Sequence, residues 1–448
     1  MTRTVAIVGG GWAGCAAAVN LAQRGYRIIL FEAARTLGGR ARCVELQGKQ
    51  LDNGQHILLG AYSESLRLMR TVGIDVNNAL LRLPLQMRYP PSNDAMDFVA
   101  AGLPAPFHLL AALLRARGLD RQDKLAMARF TTTVRWMGWQ LHADCTVAEL
   151  MQRYDQTDRL VLLMWRPLCI AALNTPPEYA SAQVFLHVLR DSLGARRQAS
   201  DMLIPRTDLS RLFPERAREF VEQRGGKVML GSPVKKIMRL GKRWLIASGP
   251  ASLAQEETPR EAQAFDALVI ATQPSSAAAL LADLPLQPRL PELRYEPIIT
   301  CYLQYRPDLS LPHAFYALLD RPDDDEWGQF VFDRGHLDKS QAGLLAVVIS
   351  AAEQASAMSH DALASAVAQQ LAASFRMPQL ARPSWSKVIA EKRATFSCAP
   401  CLSRPSNATN LPGLFLAGDY TQSDYPATLE SAVRSGVLAA NAIAGAPD

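Results

Sequence analysis

Apolar residues gather in this chain in two patterns, short unbroken runs that end in glycine or an acid and longer stretches at helical spacing. Thr4 to Val8 is the first unbroken run, and it enters Gly9, Gly10, Gly11, Trp12, Ala13 and Gly14. The spacing predicts a strand, a glycine turn and a helix over Ala13 to Arg24, with Gly25 as its stop and a second strand from Arg27 to Phe31 that closes on Glu32. Near the other end, Leu414 to Ala417 predicts a strand ending in Gly418 and Asp419, and a helix begins about ten residues later, in the stretch Ala427 to Gly436. Ile298 to Tyr305, Ala314 to Leu319, Gln329 to Phe332 and Leu344 to Ser350 add strand-like runs. Asp123 to Leu141 and Thr146 to Leu173 read as helical.

The first turn has the form G-x-G-x-x-G, and each glycine has a separate physical task. Gly9 permits the tight turn, Gly11 lets backbone approach phosphate oxygens, and Gly14 lets the helix pack against the strand. The pyrophosphate of a dinucleotide then faces the N–H groups of Trp12, Ala13 and their neighbours at the helix N-terminus. Glu32 follows Gly14 at close to the spacing expected of a carboxylate that binds a ribose 2′-hydroxyl, and an acid there disfavours a 2′-phosphate. These residues alone leave NAD and FAD both open.

The continuation, Glu32 followed after five residues by Gly38, Gly39 and Arg40, resembles the flavoprotein family of amine oxidases, protoporphyrinogen oxidases and carotenoid desaturases. That resemblance implies non-covalent FAD, with Gly38, Gly39 and Arg40 along the pyrophosphate and flavin; the alternative for Arg40 is a solvated loop charge. It also makes Asp419 a ligand of the ribityl or phosphate groups, sets Thr428 and Leu429 at a helix start facing the flavin, and likens Gly226 to Val234 to the family strand whose backbone holds adenine, with Val234 the contact, and Asp266 to Thr272 to the strand and turn that follow. The implied fold is α/β, a Rossmann-like FAD-binding domain with an inserted α+β substrate domain of mixed sheet and helices. The FAD domain is expected from residues 1–75, 200–285 and 405–448, and the substrate domain from residues 76–199 and 286–404.

Three further segments, LDNGQHILLGAY at 51–62, WRPLCIAALN at 165–174 and GDYTQSDYPATLE at 418–430, are similar to the bacterial hydroxysqualene dehydroxylases of hopanoid biosynthesis. The resemblance implies reduction of hydroxysqualene, a long apolar isoprenoid, to squalene with hydride from reduced flavin. It places Gly54, Gln55 and His56 at the flavin edge. Loss of the hydroxyl requires an acid, and His56 is the first candidate, with hydrogen bonding to the cofactor as its alternative role. Asp424 and Tyr425 are weaker candidates, Glu430 is expected to support the helix it begins, and Trp165 and Arg166 are pocket-lining or ordinary core. A carotenoid-type desaturase, an amine oxidase and a non-catalytic prenyl-lipid carrier are the competing readings.

Composition narrows the partners. A net charge of +6 over 448 residues, with no block of like charges, disfavours nucleic acid and suits an anionic membrane surface. The apolar stretch Phe98 to Leu114, followed by Arg115 and Arg117, is interrupted by Pro104 and Pro106 and is too short to span a bilayer. Its helix, Phe107 to Arg117, is either interfacial or buried in the insert. Seven scattered cysteines and a start that runs directly into a strand imply a cytoplasmic protein, peripheral on the inner face of the membrane if the helix is interfacial. Cys398 and Cys401 read as free thiols rather than a metal pair, and His142, His187, His313 and His336 lack metal-like spacing. With no second nucleotide fingerprint, either a diffusing reductant or a partner reductase must reduce the flavin.

Overall fold

The computed structural model describes residues 3–91, 96–249 and 263–445; residues 250–262, expected within the FAD domain, lie outside that description. A five-stranded parallel sheet runs Lys227–Met229, Arg27–Phe31, Thr4–Val8, Ala267–Ile270, Leu414–Leu416. Its central strands read as unbroken apolar runs because both faces are covered. Val5 and Ile7 face the helices, whereas Ala6 and Val8 face a second, antiparallel sheet of Val234–Leu240, Arg243–Ser248 and Gln263–Phe265. The strand order reverses direction around Thr4–Val8, so the Gly9 turn lies at the carboxyl ends of the strands, beside the crevice where such sheets bind ligands.

The helix after that turn, Trp12–Gln23, is rich in alanine because it must pack closely. The last helix, Leu429–Gly445, crosses it so tightly that a Cβ on Gly436 would stand 2.2 Å from the Ala13 carbonyl oxygen. The run Gly226 to Val234 divides. Lys227–Met229 joins the parallel sheet, and Val234 starts the antiparallel one after a turn at 230–233.

The second large sheet is antiparallel, in the order Phe315–Ala317, Phe330–Asp333, Leu344–Ser350, Tyr295–Gln304, Trp385–Phe396. Ile299, Cys301, Leu303, Val331 and Val347 face the helix His360–Phe375. The opposite face carries Tyr302, Phe315, Phe330, Phe332, Ala346 and Val348 against the helical insert. Within that insert the helical stretches are interrupted where local chemistry dictates. Arg121–Trp136 starts at an Asp120–Asp123 capping box and Val147–Arg153 at a Thr146–Glu149 one. The chain restarts at Thr157, whose hydroxyl caps Leu160, and continues through a π-turn at Val161–Trp165 into Arg166–Leu173. A small sheet of Leu58–Leu59, Met202–Pro205 and Leu80–Leu83 ties together segments on both sides of position 75.

Candidate flavin and substrate site

Gly9 adopts φ +106°, and a Cβ there would stand 2.6 Å from the Ala271 carbonyl oxygen. A Cβ on Gly14 would come within 1.9 Å of the Gly9 oxygen, so neither position tolerates a side chain. Gly11 is different. Nothing closer than 3.9 Å would meet its Cβ, and it caps the helix with no side-chain hydrogen bond. The protein itself does not require glycine there, which is what a surface kept open for a ligand beside uncapped helix N–H groups demands. Trp12 contributes backbone alone to this surface, because its indole is buried, donates to the Ala41 oxygen (3.2 Å) and packs on Phe213; Ala13 is buried beside it.

Glu32 fastens the turn. Its carboxylate accepts the N–H of Gly10 at 2.6 Å and of Ala34 at 2.7 Å. A Cβ on Gly10, which no ligand argument singles out, would lie 2.4 Å from the Leu37 Cδ2 methyl and 3.0 Å from Glu32 Oε2, so a side chain there would displace both. The Ser232 N–H donates to the Glu32 carbonyl at 2.9 Å, drawing the turn before Val234 to the same end of the sheet. Gly38 and Gly39 both have positive φ, the Gly38 N–H donates to Gly10 O, and a Cβ on Gly39 would lie 3.2 Å from the Gly11 Cα. The second glycine pair thus lies against the first.

Arg40 is not a solvated loop charge. It donates to Asp419 Oδ2 at 2.7 Å and to the Ala394 carbonyl at 2.6 Å, joining the two ends of the chain. Burial opposes its charge, but the Asp419 carboxylate outweighs that and raises its pKa above the usual guanidinium value. Gly418 has φ +155°, with the Tyr420 ring where a Cβ would point. Thr428 and Ser431 exchange hydrogen bonds at the start of the last helix, with Leu429 its first residue.

The 52–56 loop lies between this region and the antiparallel sheet. Gln55 donates from Nε2 to the Tyr302 hydroxyl (2.7 Å) and accepts from Arg334 at 2.9 Å, while Tyr302 donates to the Asp52 carbonyl at 2.9 Å. His56 places Nδ1 3.0 Å from the Gly54 carbonyl oxygen. A carbonyl only accepts, so the hydrogen sits on Nδ1, and the neutral ring offers Nε2 as an acceptor. Burial, with a smaller push from Arg40, lowers the His56 pKa against the opposing Gly54 bond, so the neutral form dominates at pH 7. That state cannot donate a proton from Nε2.

Other candidate residues have structural partners. Trp165 is fully buried, donates to Gln156 at 2.9 Å and packs on Phe130. Arg166 grips Asp320 with two hydrogen bonds. Asp424 is exposed near Arg190 and His187, and the Tyr425 hydroxyl donates to Asp191. Glu430 accepts the N–H groups of Glu64 and Ser65 at 3.0 and 2.9 Å, capping the helix Ser63–Thr71 rather than its own. Cys398 is buried and Cys401 exposed, both as free thiols. Thr300, Tyr302 and Arg334 enter the site without any local sequence signal, because the antiparallel sheet and the turn after Phe330–Asp333 bring them to the 52–56 loop from far along the chain.

These residues fit an FAD. The open Gly11 surface, the uncapped helix and the unpartnered, buried Tyr420 hydroxyl beside Asp419 are features that a bound dinucleotide would satisfy. The family model for flavin containing amine oxidoreductases matches residues 12–444. The chain is 29% identical to hydroxysqualene dehydroxylase of Rhodopseudomonas palustris, over all of this chain and 99% of that one. It is 26% identical to zeta-carotene desaturase of Synechocystis, over 98% and 96% of the two chains. Cyclohexylamine oxidase of Brevibacterium oxydans superposes with a TM-score of 0.68 at 18% identity, over 99% of each chain. A Rossmann-like FAD domain carrying an α+β substrate domain is therefore the fold, and the chain belongs to the flavin containing amine oxidoreductase family as an FAD-dependent oxidoreductase.

Proposed function

We propose that this enzyme reduces a long, apolar, hydroxylated isoprenoid of the hydroxysqualene type to the corresponding hydrocarbon. The carrying observation is the end-to-end similarity to hydroxysqualene dehydroxylase, 29% identity over the whole chain. FAD, when bound and reduced, would supply the hydride, and the substrate hydroxyl would leave as water after gaining one proton drawn from solvent. The residues assigned to hold it are Gly9, Gly11, Trp12, Ala13 and Gly14 by backbone, Glu32 at the ribose, Val234 at the adenine, Gly38, Gly39, Arg40 and Asp419 along the diphosphate and ribityl chain, and Gly54, Gln55, His56, Thr428 and Leu429 at the flavin.

The chain's own part is alignment and exclusion of water. Phe315, Phe330 and Phe332 pack at 5.2 to 5.6 Å between ring centroids, an aromatic wall suited to positive charge developing at an allylic carbon. His56 is assigned as the acceptor that orients the substrate hydroxyl or the flavin rather than as a resting acid. Peripheral contact with a membrane belongs to the same reading, since an isoprenoid partitions there. No helix among the described residues is long and apolar enough to cross one.

The desaturase reading draws on the 26% identity to zeta-carotene desaturase and calls for oxidised flavin and a hydrocarbon substrate. Anaerobic incubation of dithionite-reduced holoenzyme with hydroxysqualene separates the two. Squalene is the expected product; turnover restricted to oxidised enzyme and hydrocarbon would reverse the assignment.

A further inference from the structure

Thr300 lies mid-strand in Tyr295–Gln304, fully buried, and its hydroxyl has no hydrogen-bond partner among the described residues. Alternation along the strand puts it on the same face as Tyr302, toward the helical insert and the aromatic wall. The two hydroxyls differ in one respect. Tyr302 accepts from Gln55 and donates its one hydrogen to Asp52, so it has none to offer a ligand, whereas the Thr300 hydrogen is uncommitted. A buried hydroxyl left unpaired in apolar surroundings is costly, and such atoms mark positions that a ligand completes.

The space beside it has a definite shape. A Cβ built on Gly54 would have only two atoms within 4 Å outside its own chain neighbours: Thr300 Oγ1 at 3.8 Å and His56 Cε1 at 3.9 Å. Glycine thus leaves space of the size of one methyl group, in van der Waals reach of a free hydroxyl on one side and an imidazole on the other. The Gly54 carbonyl holds the hydrogen of that ring on Nδ1, making Nε2 an acceptor. An alcohol needs both functions, a donor for its oxygen lone pair and an acceptor for its proton. A hydrocarbon needs neither.

We propose that Thr300 Oγ1 donates a hydrogen bond to the hydroxyl oxygen of the substrate while His56 Nε2 accepts a hydrogen bond from that hydroxyl, making Thr300 the residue that selects a long-chain allylic alcohol over the matching hydrocarbon. The unpartnered Tyr420 hydroxyl does not compete for this role, because it lies beside Asp419 at the cofactor end. The assignment rests on the dehydroxylation reading for the identity of the alcohol, but its test does not require turnover.

Oxidised holoenzyme is titrated with hydroxysqualene and with squalene, and binding is followed by the change in flavin absorbance. The wild type is expected to prefer the alcohol. Thr300→Val, which keeps the shape and removes the hydroxyl, is expected to weaken alcohol binding about tenfold and leave squalene binding unchanged. Thr300→Ser restores the preference, and Thr300→Ala serves as a second deletion of the hydroxyl if the valine variant folds poorly. FAD content and visible spectrum remain those of the wild type. Equal alcohol binding by wild type and T300V, no alcohol preference in the wild type, or FAD loss in T300V that T300S repairs would each overturn the proposal, the last by making the flavin the partner. Absence of squalene from the reduced wild-type enzyme would instead refute the reaction while leaving the binding ratio readable.

Discussion

At the scale of single residues, Asp52 carries a cost that its surroundings do not cancel. It is 5% exposed, accepts the Leu209 N–H at 2.8 Å and lies in the field of Arg334, yet burial pushes its pKa up to about 6. Because the folded value stands above the ordinary carboxylate value of 3.8, the folded protein binds this proton more tightly than the unfolded chain does. Its contribution to stability is therefore full below about pH 4 and is lost as pH rises through about 6, by on the order of 3 kcal/mol. Asp52→Asn keeps an oxygen for Leu209 and removes the charge. Urea unfolding at pH 4 and pH 7 should find the variant near wild type at the lower pH and more stable by that amount at the higher. A constant difference across the range would mean that Asp52 ionises freely. Asp52 was legible only as part of a loop motif, since its titration depends on Leu209 and Arg334, which the sequence places far away.

Among the elements, the helix Ser63–Thr71 shows how distant segments complete one another. It begins at Tyr62, which offers no side-chain cap, and Glu430 supplies the missing acceptor from 365 residues away. Glu430 is fully buried, accepts also from the Ser65 hydroxyl at 2.7 Å and pairs with Arg434 at 2.7 Å. Glu430→Gln keeps the shape but loses the charge, and should destabilise the protein by about 2 kcal/mol, with early hydrogen exchange at Glu64 and Ser65. Unchanged exchange at those two amides would rule the cap out. Period and glycine placement made Thr4–Val8, Trp12–Gln23 and Leu344–Ser350 readable in advance. Trp385–Phe396 carries no clear strand signal, because Lys387, Glu391, Lys392 and Arg393 interrupt its apolar positions, as befits a strand on the edge of a sheet. The helical stretch 146–173 was expected whole, and the Thr157 cap and the π-turn divide it.

Across the whole molecule, the helix Phe107–Arg115 turns one face inward and an apolar stripe outward. His108, Ala112 and Leu113 are buried, whereas Phe107, Leu110 and Leu114, one helical stripe, are 58, 49 and 67% exposed. Lys124 donates to the Leu114 carbonyl, joining this helix to Arg121–Trp136, which exposes Leu125 and Arg129. Arg115, Arg117 and Arg121 are exposed nearby. Apolar side chains rimmed by arginines suit the headgroup region of an anionic bilayer. Leu110→Ser with Leu114→Ser should lower cosedimentation with phosphatidylglycerol-containing vesicles at least tenfold and spare turnover of detergent-dispersed substrate. Equal sedimentation of variant and wild type would dismiss the membrane face.

The sequence by itself determined the strand–glycine turn–helix of Gly9 to Gly14 and the strand that ends at Glu32, because glycine turns and strand periodicity are local properties written in contiguous residues. The nucleotide-binding roles of these residues are read from that local pattern, and those of the Gly38–Arg40 loop from its resemblance to the flavoprotein family. The tertiary structure decided which of these charges meet, as in the Arg40–Asp419 pair, which hydrogen His56 carries, and which hydroxyl over the 52–56 loop remains unpaired. Those facts depend on strand register and on the approach of segments hundreds of residues apart, and no local pattern encodes them. Thr300 is an ordinary threonine in the chain and an unsatisfied donor only in the fold.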